Sequence, residues 1–254
     1  MEPTVINSIK ELQTWRSCLP AEASVGFVPT MGALHQGHQT LLQKSIQENQ
    51  VTVLSIFVNP TQFNDKKDLE KYPVTLEKDL ELAQKSGVDI VFLPTYASMY
   101  PDNYRYKISE DDFSKKLCGK DRPGHFDGVL TVVMRLLNLV RPQRAYFGEK
   151  DYQQLHLIKG MTEAFFMDVQ IIPVATVREA DGLAMSSRNV RLTPEQRTWA
   201  PKIHESLVAS PSAQAAQKNL ENYGVQVDYL EDLEGRRFAA VRVGEVRLID
   251  NVKL

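Results

Sequence analysis

Val25-Gly26-Phe27-Val28-Pro29-Thr30-Met31-Gly32-Ala33-Leu34-His35-Gln36-Gly37-His38 is the stretch whose reading decides the fold. Its apolar opening has the texture of a buried strand, and it runs into a turn carrying two glycines and two histidines three residues apart. At a strand-to-helix junction, Gly32 and Gly37 let backbone pass close to a ligand, and a helix starting near His38 points unpaired N–H groups at an anion. Phosphate is the natural guest. His35 and His38, at i and i+3, lie on one side of that helical start and donate hydrogen bonds to phosphate oxygens. Taken as an isolated string, the same residues equally describe a turn whose histidines cap or pack.

Outward from this stretch, short apolar segments rich in β-branched and aromatic residues recur at Ser24 to Val28, Val51 to Val58, Val88 to Leu93, Ala145 to Phe147 and Val169 to Val174. Between them, Thr40 to Glu48, Leu76 to Ser86, Val129 to Leu139 and Tyr152 to Phe166 have helical length and spacing, with Gly87 placed as a C-cap. This alternation predicts an α/β fold built on a doubly wound parallel sheet, with ligands beyond the carboxyl ends of its strands. The texture changes after Arg191. Thr193-Pro194-Glu195 reads as an N-cap with proline at the first helical position, and Ser212 to Tyr223 as a helix closed by Gly224. Val225 to Tyr229, Phe238 to Val243 and Val246 to Ile249 then suit a small sheet turning at Val243-Gly244-Glu245, so the boundary falls near Val177.

Composition narrows the function. The 254 residues include 30 basic and 32 acidic side chains for a formal charge of −2, with no long single-sign block, which disfavours a general nucleic-acid or membrane surface. Any anion must be met locally. Cys18 and Cys118 form no CxxC pair, which fits a reducing cytoplasm better than a disulfide framework or zinc knuckle. Apolar runs are too short for a membrane span, and the first residues do not resemble a secretion signal.

Four further segments are polar where their surroundings are apolar. Asn59-Pro60-Thr61-Gln62-Phe63 leaves the second strand with two neutral amides, Asn59 and Gln62, able to bind a hydroxyl or carboxylate; an ordinary Asn-Pro turn also accounts for it. Arg122-Pro123-Gly124-His125-Phe126-Asp127-Gly128 puts a cation and a histidine before a helix that Asp127 is placed to cap. In Phe147-Gly148-Glu149-Lys150-Asp151-Tyr152-Gln153-Gln154, Lys150 opposes the usual acidic preference of a first helical turn and asks for an anion. Met185-Ser186-Ser187-Arg188-Asn189 offers hydroxyls and a guanidinium suited to a triphosphate, or a solvated loop.

Jointly and in this order, HxGH, VNPTQF, RPGHFDGV, FGEKDYQQ and MSSRN resemble the pantothenate synthetase family, the AMP-forming pantoate–β-alanine ligases, over residues 24 to 192. HxGH alone marks only the wider nucleotidyltransferase superfamily. The resemblance implies a Rossmann-type nucleotide-binding domain (1–176), a smaller α+β C-terminal lid domain (177–254), a cytoplasmic homodimer, ATP as co-substrate and Mg²⁺ whose protein ligands stay unassigned. It implies that Met31, Gly32, Ala33, Leu34, His35, Gln36, Gly37 and His38 line the ATP site together with Gly148, Glu149, Lys150, Asp151, Val177, Met185, Ser186, Ser187 and Arg188. His38, His35, Lys150 and Arg188 then carry the chemistry. Gln62 and Gln154, with Asn59 beside them, hold pantoate, and Gln62 also meets β-alanine. Departures are Val74, where relatives commonly carry arginine, Thr61 in place of an apolar residue, and an abbreviated C-terminal part. A non-catalytic nucleotide sensor, or another adenylyl-transferring member of the superfamily, remains the competing reading.

Overall fold

The computed structural model describes residues 2–254. Its strands are β1 (Thr4–Ile6), β2 (Val25–Thr30), β3 (Val51–Ile56), β4 (Ile90–Phe92), β5 (Arg144–Gly148), β6 (Gln170–Val174), β7 (Gln226–Leu233), β8 (Arg236–Val243) and β9 (Val246–Lys253). The helices are α1 (Ile9–Cys18), α2 (Gln36–Glu48), α3 (Lys66–Glu70), α4 (Leu76–Ser86), α5 (Tyr96–Met99), α6 (Cys118–Asp121), α7 (His125–Val140), α8 (Tyr152–Ala164), α9 (Pro194–Trp199), α10 (Lys202–Ala209) and α11 (Ala213–Glu221).

Strands β1 to β6 form one sheet in the order β1-β4-β3-β2-β5-β6, with every pairing parallel. Side chains alternate between its faces, and both faces are covered. Phe27, Val53 and Ala145 pack towards one core with Leu12, Leu130, Leu137 and Ile158. Their neighbours Val28, Leu54 and Tyr146 join a second core with Leu42 and Ala83. Such two-sided burial is why these strands read as continuous apolar runs rather than alternating ones. From β2 the chain winds through α2 to β3 on one side, while β5 lies on β2's other flank. A crevice therefore opens beyond the carboxyl ends of β2 and β5, the strands that lead to His35 and Lys150.

Strands β7, β8 and β9 make a separate antiparallel sheet, whose core of Leu183, Ile203, Leu207, Leu220, Val241 and Leu248 packs with α10 and α11. Phe238 belongs to the main core instead. The Asn251 amide donates to the carbonyls of Glu149 and Lys150 at 2.9 Å each, and the Arg236 guanidinium lies 3.9 Å from the centre of the Tyr152 ring. These contacts seat the small sheet on the start of α8, beside the crevice.

Several boundaries differ from the sequence reading, each for a local reason. Helix α2 begins at Gln36, because His35 itself is the N-cap. Helix α7 begins at His125 behind a left-handed Gly124, so Asp127 sits inside its first turn instead of capping it. Strand β1 and helices α1 and α10 are absent from the sequence reading: β1 is three residues long, while α1 opens on a Ser8–Glu11 capping box and lays Ile9, Leu12 and Trp15 against the core. No helix among the described residues is long and apolar enough to cross a membrane.

Candidate active site

The turn after β2 is held from beneath by a carboxylate. Asp79 in α4, 2 % exposed, accepts from the Ala33 amide at 2.9 Å, the Leu34 amide at 2.8 Å and the Thr75 hydroxyl at 3.1 Å. This fixes Gly32 and Ala33 with positive φ of 81° and 51°, a backbone that side chains normally avoid. A β-carbon on Gly32 would stand 2.9 Å from the same carboxylate. The Ala33 and Leu34 amides are thus spent on Asp79, whereas the Gln36 amide at the start of α2 takes no protein acceptor among the described residues. Of this run, Met31, His35, Gly37 and His38 line the cavity, and Gly32, Ala33, Leu34 and Gln36 do not.

The two histidines cap the helix reciprocally. His35 Nδ1 accepts from the Gly37 amide at 3.1 Å, and His38 Nδ1 accepts from the His35 amide at 3.3 Å. An Nδ1 that accepts carries no proton, so in each neutral ring the proton sits on Nε2. Burial, then the nearby Lys150, drops His35 to a pKa of about 4. Burial, followed by His35 and Lys150, drops His38 to about 3. Both imidazoles are therefore uncharged donors at neutral pH, and formal positive charge is left to Lys150 and Arg188.

Lys150, Asp151, Val177, Met185, Ser186, Ser187 and Arg188 join His35 and His38 around one cavity of about 230 Å³. Met185 reaches it because its amide donates to the Val177 carbonyl at 3.0 Å. Gly148 also borders the cavity, but Glu149 does not: its carboxylate turns to Arg236, 3.5 Å away. A second space of about 610 Å³ runs between the parallel sheet's loops and the small sheet, and shares Met31, Gln62, Lys150, Asp151, Gln154, Ser186 and Arg188 with the first. The motif residues open into one divided cleft.

The neutral corner is built from VNPTQF and RPGHFDG. Asn59, 1 % exposed, spends its amide on Gln62 Oε1 (3.0 Å) and the Gly128 carbonyl (3.2 Å), while its oxygen accepts from Thr61 and Tyr100. Asn59 therefore orients Gln62, with its side-chain amide and oxygen both engaged by protein partners at the cavity wall. From the other side, the Gln62 carbonyl accepts from Arg122 at 3.1 Å and His125 Nδ1 at 2.7 Å. Burial, followed by Arg122, drives His125 to about 3, so it too is neutral. Helix α7 approaches so closely that a β-carbon on Gly128 would lie 2.4 Å from the Thr61 carbonyl oxygen. Gln153 is consumed by Phe113, Lys116 and Cys118, whereas Gln154, one residue on, faces both halves of the cleft. Sequence reasoning missed Asp79 entirely, since an acid in a helix's first turn looks like an ordinary dipole complement.

A parallel sheet that gathers imidazoles from the turn after β2, a lysine from the turn after β5 and an arginine from the segment beyond β6 around its switch point has the architecture of a Rossmann-type nucleotide-binding protein. A family model for pantoate–β-alanine ligases matches residues 4–253. Pantothenate synthetase of Bdellovibrio bacteriovorus is 58 % identical over 250 residues, covering 98 % of this chain and 99 % of that protein. The pantothenate synthetase of Legionella pneumophila (strain Lens) is 51 % identical over the same shares. Among solved structures, the pantoate–β-alanine ligase of Francisella tularensis, complexed with β,γ-ATP and β-alanine, superposes with a TM-score of 0.95 at 40 % identity, covering 99 % of this chain and 97 % of that one. The Thermus thermophilus pantothenate synthetase gives 0.91 at 41 %, covering 98 % and 99 %. The chain belongs to the pantoate–β-alanine ligase family, and is an ATP-dependent ligase.

Proposed function

We propose that this chain condenses pantoate with β-alanine at the expense of ATP through a pantoyl-adenylate, releasing pyrophosphate and AMP, and so supplies pantothenate for coenzyme A synthesis. The observation that carries this reading is the shared cleft, in which Lys150, Arg188 and two Nε2–H imidazoles adjoin the uncharged amides of Gln62 and Gln154. A charged triphosphate suits the first set and a small hydroxy acid the second.

In the first step a pantoate carboxylate oxygen attacks the α-phosphorus, a P–O bond forms, and the bond to the β-phosphate breaks. Carboxylic acids with a pKa of about 4 are ionised at pH 7, so no base is required. Two anions must meet, and charge compensation with alignment governs the rate. Lys150 and Arg188 supply formal charge; His35 and His38 supply donors that need no proton uptake. In the second step β-alanine's neutral amine attacks the acyl carbon and AMP leaves. His125, with a pKa of about 3, is too weak a base for that proton, and the adenylate phosphate or water accepts it.

No three His, Cys, Asp or Glu among the described residues converge as a protein-only metal cage. That donor set suits a Mg²⁺ held chiefly by phosphates, with Asp151 the carboxylate facing the nucleotide cavity. Mg²⁺ there would neutralise phosphate charge. Residues 177–254 act as a lid over the cleft, and the family resemblance supports a cytoplasmic homodimer. The deciding assay supplies ATP, Mg²⁺, pantoate and β-alanine. AMP accumulates in place of ADP, and pyrophosphate–ATP exchange requires pantoate without β-alanine; exchange indifferent to pantoate refutes the reading.

A further inference from the structure

The loop that brings Arg188 to the cleft is held by a short helix that no motif pointed to. Asp68 in α3 meets Arg188 Nη2 with its Oδ2 at 3.0 Å and Arg191 Nη1 with its Oδ1 at 3.4 Å. The Tyr72 ring, buried, lies with its centre 6.0 Å from the Arg188 guanidinium carbon. Burial works to raise the Asp68 carboxyl, but Arg188, Arg122 and Arg191 outweigh it and keep the group below the ordinary carboxylate range. Asp68 is thus an anion at neutral pH.

What Asp68 leaves free matters most. A guanidinium has five N–H donors in a rigid fork. Among the described residues, the Arg188 side chain makes one protein hydrogen bond, from Nη2 to Asp68, so Nε and Nη1 remain unspent. Arg188 borders both halves of the cleft, while Asp68 borders only the larger. The carboxylate grips one edge of the fork and leaves the other for the nucleotide half. Asp68 also holds Arg191, so α3 grips the loop at two points.

We infer that Asp68 is a positioning residue for the triphosphate, acting through Arg188: it orients the guanidinium so that its free edge meets phosphate. This rests on the reading of Arg188 as a nucleotide contact. It does not rest on pantoate as the second substrate.

A double-mutant cycle tests it. Affinity for α,β-methylene-ATP is measured by calorimetry, and the KM for ATP by pyrophosphate exchange, in wild type, Asp68→Asn, Arg188→Ala and the double variant. Asp68→Asn weakens the analogue and raises the KM for ATP roughly tenfold, as expected when a charge-assisted anchor for a positioned group is lost. In the Arg188→Ala background the same change alters either quantity less than about twofold, because nothing is left to orient. Equal effects in the two backgrounds would show a merely structural role and overturn the inference. Should Asp68→Asn fail to fold, Asp68→Glu enters the same cycle, since it keeps the charge but moves the grip by one methylene. Coupled analogue binding without pantoate-dependent exchange would leave the role of Asp68 standing and sink the proposed substrate.

Discussion

Replacing Asp79 is the sharpest test of how this site is assembled, because the residue lines neither half of the cleft. Its two oxygens take three donors, two of them amides of the left-handed turn at Ala33 and Leu34. In Asp79→Asn one oxygen keeps one amide, and the new NH₂ group faces the other. A buried donor left unpaired costs about 1–3 kcal/mol, and weakening the remaining charge-assisted bond adds roughly 1 kcal/mol. The expected loss is about 2–4 kcal/mol, which for a chain of this size lowers the melting temperature by roughly 5–15 °C. The turn also carries His35 as the helix cap, so its two imidazoles lose their alignment and pyrophosphate exchange falls about a hundredfold. Thermal unfolding and exchange are measured on the same preparation. An Asp79→Asn protein that melts within about 1 °C of wild type and exchanges at the wild-type rate would refute the claim that this carboxylate builds the turn.

Three further outcomes are expected from the geometry. His38→Ala, which removes an Nε2–H donor, lowers pantoate-dependent exchange roughly a hundredfold to a thousandfold, and undiminished exchange would remove His38 from the chemistry. Stability falls as pH drops below about 6.5: His35, His38 and His125, held at about 4, 3 and 3, refuse protons that the unfolded chain accepts. More protons are then bound by the unfolded state, giving a slope approaching about 1.4 kcal/mol per pH unit for each histidine until the folded values are reached. Denaturant midpoints at pH 7 and pH 5 check this, and a flat profile contradicts it. Gly128→Ala drives a methyl into the Thr61 carbonyl and the Gln62 amide, 2.4 Å and 2.7 Å from its β-carbon. It costs about 1–3 kcal/mol and raises the KM for pantoate; unchanged melting and KM would show that this close approach is dispensable.

Much of the fold could be read because buried parallel strands are continuous apolar runs: Ser24 to Val28, Val51 to Val58 and Ala145 to Phe147 fall on β2, β3 and β5 with ends shifted by one or two residues. Helix α4 matched from Leu76 to its left-handed Gly87 cap, since both ends carry local signals. Helices α1 and α10 were missed although α1 carries a Ser8–Glu11 capping box; both are short, at ten and eight residues. The site was legible where a polar or cationic residue stood at a strand's exit, as His35, Lys150 and Gln62 do. It was illegible where an ordinary first-turn acid, Asp68 or Asp79, acquired its meaning from a partner distant in sequence.

Sequence by itself determined the alternation of strands and helices, the polar turns that leave them, and the family. Those features depend on local periodicity and on side chains whose chemistry is unusual for their position. Only the tertiary structure decided that Asn59 orients Gln62, that Glu149 turns towards Arg236, and that Asp79 ties down the Ala33 and Leu34 amides beneath the turn. It also decided that both histidines present Nε2–H while uncharged. A polar group's role depends on which partners satisfy it, and in this protein those partners come from elements that meet only when the chain is folded.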